Sequence, residues 1–232
     1  QMIYDPFMGS GTTNVVAKTL GMNSYGVEAH PFVYRITRAK MNWCIERSEV
    51  LEFLKTARIE LPRLAKTYQA FTIEEKFPEL ILKCFEENTL ADLLALRTLV
   101  TECGMRDDLR EFFYVVVTAL LREVSTAATG WPYIAPNKQK VSSLNKDVLT
   151  EFVNLARRMV GDIEEIRELS DGRYQASTHT LINGDSRDTT SEIPDNSVDH
   201  VFTSPPYLNN FDYADRTRLE LYFWGEAKTW GD

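Results

Sequence analysis

The chain has 232 residues, with 44% hydrophobic and 26% charged content, which is ordinary for a soluble globular protein of one large domain or one domain carrying an insert. A net charge of −8 argues against a uniformly basic polyanion binder and leaves room for a local basic groove. Cys44, Cys84 and Cys103 are far apart with no metal-type spacing, and no leader or membrane-spanning run is visible, so a reducing cytoplasmic setting without membrane association is the expectation.

In chain order, Met2–Phe7 reads as a short buried strand, followed by the turn Met8-Gly9-Ser10-Gly11-Thr12-Thr13. Residues Asn14–Leu20 have helical composition and stop at Gly21, a C-terminal glycine signal. A second strand over Ser24–Glu28 ends in an acid, and Pro31 opens a helix to about Trp43 with Phe32, Ile36 and Ala39 on one face. Strand, glycine turn, helix and a strand with a terminal acid form the first half of a nucleotide-type α/β fold. Gly9 and Gly11 let backbone approach a ligand, and the helix start behind them favours a carboxylate or phosphate. Glu28 is placed for the two hydroxyls of a ribose. No lysine follows Gly11, which disfavours a phosphate-binding P-loop.

From about Glu46 to Arg173 apolar residues recur at helical spacing, as in Leu90, Leu93, Leu94 and Leu99, then Phe112, Phe113, Val116, Val117, Leu120, Leu121 and Val124, then Leu149, Phe152, Val153, Ala156, Met159 and Ile163. These stripes predict the core of a helical insert over 44–175, between α/β segments 1–43 and 176–232. The break at Ser125–Lys146 holds Gly130-Trp131-Pro132-Tyr133, Pro136, Lys138, Lys140 and Lys146. It reads either as an aromatic and basic nucleic-acid contact or as a plain connector.

The α/β pattern resumes with a strand at Thr180–Asn183 ending in Gly184-Asp185, where Asp185 either accepts from an adenine amino group or caps its own turn. The apolar run Val198–Phe202 predicts a buried strand that closes in Thr203-Ser204-Pro205-Pro206-Tyr207. Two prolines fix φ and remove two donors, leaving acceptors beside an aromatic face, a platform that suits a flat heterocycle with an exocyclic amine. A polar loop of Asn209, Asn210, Asp212 and Tyr213 follows, then a helix from near Ala214 through Leu219 and Phe223.

Together, Asp5-Pro6-Phe7-Met8-Gly9-Ser10-Gly11-Thr12-Thr13 and Thr203-Ser204-Pro205-Pro206-Tyr207 resemble the amino-methylating DNA methyltransferases of the N4-cytosine/N6-adenine family. The resemblance implies a partial Rossmann-like class I methyltransferase sheet with a large helical insert. It also implies S-adenosyl-L-methionine as cofactor, held by Asp5, Pro6, Phe7, Gly9, Ser10, Gly11, Thr12, Glu28 and Asp185, with no metal. Ser204, Pro205, Pro206 and Tyr207 match the catalytic motif that holds and stacks a target base flipped out of DNA. Thr203-Ser204 tilts the resemblance towards cytosine N4. Adenine N6, RNA as substrate, and a non-catalytic remnant of a restriction or defence system are the alternatives. Cytosine C5 chemistry needs a cysteine nucleophile, and none of the three cysteines sits beside a strand-end proline. The order of motifs, and the lack of a further cofactor motif and three more strands, are departures from the family pattern. The abrupt ends, Gln1-Met2-Ile3-Tyr4 running straight into a strand and Trp230-Gly231-Asp232 without a closing element, give the expectation of a fragment. The missing parts give that of weak cofactor binding and little activity if the chain is complete as given.

Overall fold

A computed structural model describes residues 1–68, 73–128, 135–139, 146–188, 191–207 and 213–229. The elements in chain order are β1 (Met2–Asp5), α1 (Thr12–Thr19), β2 (Asn23–Glu28), α2 (Pro31–Lys40), α3 (Arg47–Ala65), α4 (Ile73–Lys76), α5 (Glu79–Cys84), α6 (Glu87–Glu102), α7 (Asp107–Val124), β3 (Ala127–Ala128), β4 (Ala135–Gln139), α8 (Val148–Ser170), a 3-10 turn over Arg173–Ala176, β5 (His179–Asn183), β6 (His200–Val201) and α9 (Tyr213–Trp224). They form two compact units, one of residues 1–45 and 161–210 and the other of 46–160 and 211–232.

The first unit is a parallel α/β sheet in the order β5-β2-β1-β6, a partial Rossmann-like methyltransferase sheet. Its register sets Asp5 against Gly26 and Glu28 against Asn183, so the strands release their chains at one carboxyl edge. Helix α1 ends as its glycine foretells. The Gly21 amide bonds Lys18 O at 3.0 Å and the Met22 amide bonds Ala17 O at 2.8 Å, a Schellman closure with Gly21 at φ +71°. Helix α2 starts at Pro31 and stops at Lys40, short of Trp43, and the Lys18 ammonium bonds the Met41 carbonyl just past its end. Its buried residues are Phe32 and Thr37, with Ile36 and Ala39 only half-buried. A directional chain of hydrogen bonds ties α1, β2 and β5 together. The buried Asn14 amide donates to Ser24 Oγ at 2.9 Å, Ser24 Oγ meets His179 Nδ1 at 2.8 Å, and His179 Nε2 meets Ser177 Oγ at 2.9 Å. Burial, with Lys18 adding to it, brings the His179 pKa down to about 4, so the ring is neutral. Arg167, in the last part of α8, bonds the carbonyls of Trp43 and Ile45.

The run Val198–Phe202 departs from the buried strand expected. Only His200–Val201 pairs, with β1, and Val201 and Phe202 are 58% and 69% exposed. β6 is the outer strand of the sheet among the described residues, so the apolar side chains of Val201 and Phe202 lie at an edge.

The second unit is helical. Helix α6 is buried through Leu90, Leu93, Leu94, Leu96 and Leu99, which marks it as the central helix. Phe53, Phe113 and Phe152, from α3, α7 and α8, meet with ring centroids 4.2 to 6.4 Å apart. Helix α9 is held in the same unit. Phe223 stacks on Phe77, Trp224 stacks on Tyr114, and the Trp224 indole donates to Thr118 Oγ1 at 3.0 Å. The Arg122 guanidinium meets the buried Glu220 carboxylate at 2.5 Å. The stripes expected as core are core: Phe112 through Val124 on α7 are buried at every position named from the sequence, while Leu149, Met159 and Ile163 on α8 are half-buried. The Ser125–Lys146 break contains the antiparallel pair β3–β4, and Lys146 bonds Glu123 at 2.9 Å. Gly130–Tyr133, Lys140, Asn209, Asn210 and Asp212 lie outside the described residues. Among the described residues no helix is long and apolar enough to cross a membrane.

Candidate active site

Parallel pairing decides where the two sequence motifs go. Ile3 and Tyr4 pair with His200 and Val201, and the Phe202 amide donates to Tyr4 O at 3.0 Å. The glycine turn and the Thr203–Tyr207 segment therefore leave adjacent strands at the same edge. Along that edge the order is Asp185 after β5, Glu28 at the end of β2, the Asp5–Gly11 turn after β1, then Ser204–Tyr207 after β6. Four strands at about 4.8 Å spacing make a row about 14 Å long.

The turn is shaped from below. Buried Asp5 accepts the Phe7 amide at 3.1 Å, which ends β1 two residues before the sequence pattern suggests. Met8 tucks its buried side chain against Gly26 of β2, where a Cβ would lie 2.5 Å from its Sδ, and its amide bonds Val27 O at 2.9 Å. Gly9 and Gly11 stand at φ +52° and +81°, the left-handed region that glycine enters at little cost. Pro6 is half-buried, while Phe7, Ser10 and Thr12 are exposed. Gly11 caps α1 without a side-chain hydrogen bond, so the first amides of that helix, which have no intrahelical acceptor, gain none from a cap.

Glu28 is already engaged. One carboxylate oxygen accepts the Gly9 amide at 3.0 Å and the other accepts the His30 amide at 2.8 Å, so the acid clamps the turn to the end of β2. Each oxygen keeps a second lone pair for a ligand hydroxyl. Asp185 caps its own turn, one of the two roles open to it from sequence. It accepts the Arg187 amide at 3.0 Å and pairs with the Arg187 guanidinium at 2.5 Å, and these bonds lower its pKa to about 2. Ser204, Pro205, Pro206 and Tyr207 are exposed, Tyr207 at 68%. Two residues of this neighbourhood escape sequence reasoning. Thr37 is fully buried and donates to Gly9 O at 2.7 Å, and Lys40 donates to Ser10 O at 2.6 Å. The available signal was a threonine in the middle of a helix beside a glycine turn, which by itself points nowhere.

A DNA methylase family model of the N6/N4 type matches residues 1–39, the segment from β1 through most of α2. The chain is similar to the Type II methyltransferase M.BsoBI of Geobacillus stearothermophilus, at 30% identity over 96% of this chain and 47% of that protein. It is also similar to the Type II methyltransferase M.MvaI of Kocuria varians, at 28% over 88% and 46%, and to M.MjaII of Methanocaldococcus jannaschii, at 23% over 93% and 55%. The chain spans about half the length of the curated relatives it matches. No solved structure matches it. With a family model on its glycine-turn segment and relatives aligned along nearly its whole length, the chain is similar to the N6/N4-type DNA methylases.

Proposed function

We propose that this chain carries the methyl-donor site and the base-amine site of a DNA amino-methyltransferase that uses S-adenosyl-L-methionine and acts on cytosine N4, as the modifying member of a restriction-modification pair. The observation that carries this reading is the pairing of β1 with β6, which sets the Gly9–Gly11 turn beside Ser204–Tyr207 at one sheet edge. The relatives' Type II methyltransferase names and the DNA methylase model support DNA as the substrate class.

The residues of the turn fit such a donor. Two glycines at positive φ, an uncapped helix start and a strand-end acid with spare lone pairs suit a ligand with a carboxylate at one end and a ribose at the other. When bound, S-adenosyl-L-methionine supplies an electrophilic methyl group on a sulfonium. The remaining chemistry belongs to the chain. An exocyclic amine is a poor nucleophile because its lone pair is delocalised into the ring. Ser204 Oγ and the Pro205 carbonyl accept its two N–H bonds and return lone-pair character to nitrogen, Pro206 stiffens the corner, and Tyr207 stacks on the base. Orientation and fixed dipoles account for most of the acceleration. The methylated nitrogen is cationic and acidic, so no strong base is needed. A base within a duplex cannot reach these acceptors, so it enters flipped. Thr203-Ser204 favours cytosine over adenine.

The test is transfer of labelled methyl groups to DNA and RNA by the full-length protein, followed by nucleoside analysis. The expected product is N4-methylcytosine in DNA, and Ser204→Ala lowers kcat at least a hundredfold while donor affinity stays within twofold. Label in RNA alone, N6-methyladenine, or normal turnover by Ser204→Ala would each overturn the corresponding assignment.

A further inference from the structure

Helix α2 reaches back to the glycine turn through two side chains that no motif includes. Thr37 is fully buried, and its hydroxyl donates to the Gly9 carbonyl, 28 residues away, instead of to a carbonyl of its own helix, the usual partner of a mid-helix threonine. One turn later, the Lys40 ammonium donates to the Ser10 carbonyl. In a trans peptide the carbonyl and the next amide point in opposite directions. Drawing the Gly9 carbonyl towards Thr37 therefore aims the Ser10 N–H away from α2. Drawing the Ser10 carbonyl towards Lys40 turns the Gly11 N–H the other way, and Met8 O accepts it at 2.8 Å. The Ser10 amide meets no acceptor among the described residues. It lies two residues before the start of α1, whose first amides receive no side-chain cap.

We propose that Thr37 and Lys40 are positioning residues of the donor site, which fix the peptide planes of Gly9 and Ser10 so that the Ser10 amide faces the methionine carboxylate of the methyl donor. The proposal rests on the methyl-transfer reading and concerns how tightly the donor's methionine half is held. The hydroxyl matters because the threonine methyl already fills the space beside Gly11. An isosteric valine keeps that packing and releases the carbonyl.

The experiment is calorimetric titration of S-adenosyl-L-methionine, and separately of adenosine, into wild type, Thr37→Val, Thr37→Ser and Lys40→Met, with the ligand-free thermal midpoint of each. Loss of one intramolecular hydrogen bond corresponds to about a three- to tenfold change in affinity. The expected result is that Thr37→Val and Lys40→Met weaken S-adenosyl-L-methionine by that factor and leave adenosine unchanged, while Thr37→Ser binds within about twofold of wild type. Equal affinity of Thr37→Val and wild type, equal loss for adenosine, or failure of Thr37→Ser to rescue would overturn the proposal with the methyl-transfer reading intact. A wild type that binds no S-adenosyl-L-methionine would overturn that reading itself.

Discussion

Gly11→Ala is the most informative single perturbation of the α/β unit. Gly11 holds φ +81°, and an added Cβ would lie 2.4 Å from Thr37 Cγ2, 3.2 Å from its Oγ1 and 3.3 Å from its Cβ. The left-handed backbone costs a non-glycine residue about 1–2 kcal/mol. The contact adds an overpacking cost of about 1–3 kcal/mol, because Thr37 is buried, β-branched and tied to Gly9 O, so it cannot rotate away without giving up that bond. The expected loss is about 3 kcal/mol, or about two orders of magnitude in the opening equilibrium of this unit. Native-state hydrogen exchange on peptides covering β1 and β2 reads it directly. Adding Thr37→Ala removes the colliding methyl, and the double variant is expected to recover about 1 kcal/mol despite the lost hydroxyl, a coupling that independent sites would not show. A loss below about 1 kcal/mol for Gly11→Ala, or no recovery in the double variant, would refute the claim that this turn is built against α2.

In the helical unit, Arg122→Leu strands the buried Glu220 carboxylate and is expected to cost about 3–5 kcal/mol, with most of it regained when Glu220→Leu is added. A urea double-mutant cycle with no such recovery would show that the pair contributes only its packing. The two units are expected to respond to acid in opposite directions. The His179 pKa is depressed to about 4, so the stability it gives the α/β unit is complete above pH 6.5 and is lost as pH falls towards 4. Burial and, secondarily, Asp147 raise Asp92 to about 6, so protonation favours the folded helical unit. Its stability rises as pH falls from about 7 to 4, by about 1–2 kcal/mol once half-exposure is discounted. Proteolysis at pH 5 and pH 7.5, with cleavage products assigned to each unit, checks both signs. Asp92→Asn flattens the helical trend and His179→Gln the other, and parallel trends in the two units would refute both assignments.

Much of this molecule is readable from its residues. The glycine turn, the strand-end acid and the diproline corner declare themselves because each needs residue types that few other structures use. Helical stripes such as Phe112 to Val124 are legible because a buried helix face repeats at a fixed spacing. Three features escape the same logic. Thr37 looks like a polar position on an amphipathic helix until the backbone angle of Gly11 is known. Glu28 reads as a ligand for hydroxyls, and nothing in its spacing says that both of its oxygens will first be used by the Gly9 and His30 amides. Val198–Phe202 reads as buried because composition reports affinity for a sheet and does not report whether the strand is central or at an edge.

These three omissions share a consequence for how the proposed site works. The glycine side of the edge is over-determined. Asp5, Glu28, Thr37 and Lys40 each hold a backbone group of the turn, and the Asn14–Ser24–His179 chain ties the helix and strands beneath it. The diproline side is joined to β1 through a two-residue strand, the Phe202 amide, the Asp199 amide on Met2 O at 3.0 Å and the Met2 amide on Asp199 Oδ2 at 2.7 Å. On the proposed methyl-transfer function, a turn held rigid before its ligand arrives and an exposed corner for a base pulled from a duplex would divide the labour of amino methylation. The donor's affinity then comes from geometry set before it arrives, while the corner depends on its prolines for stiffness. Substitutions under the turn should therefore raise the donor's KM, and substitutions at Pro205 or Pro206 should act on kcat with the donor's KM unmoved.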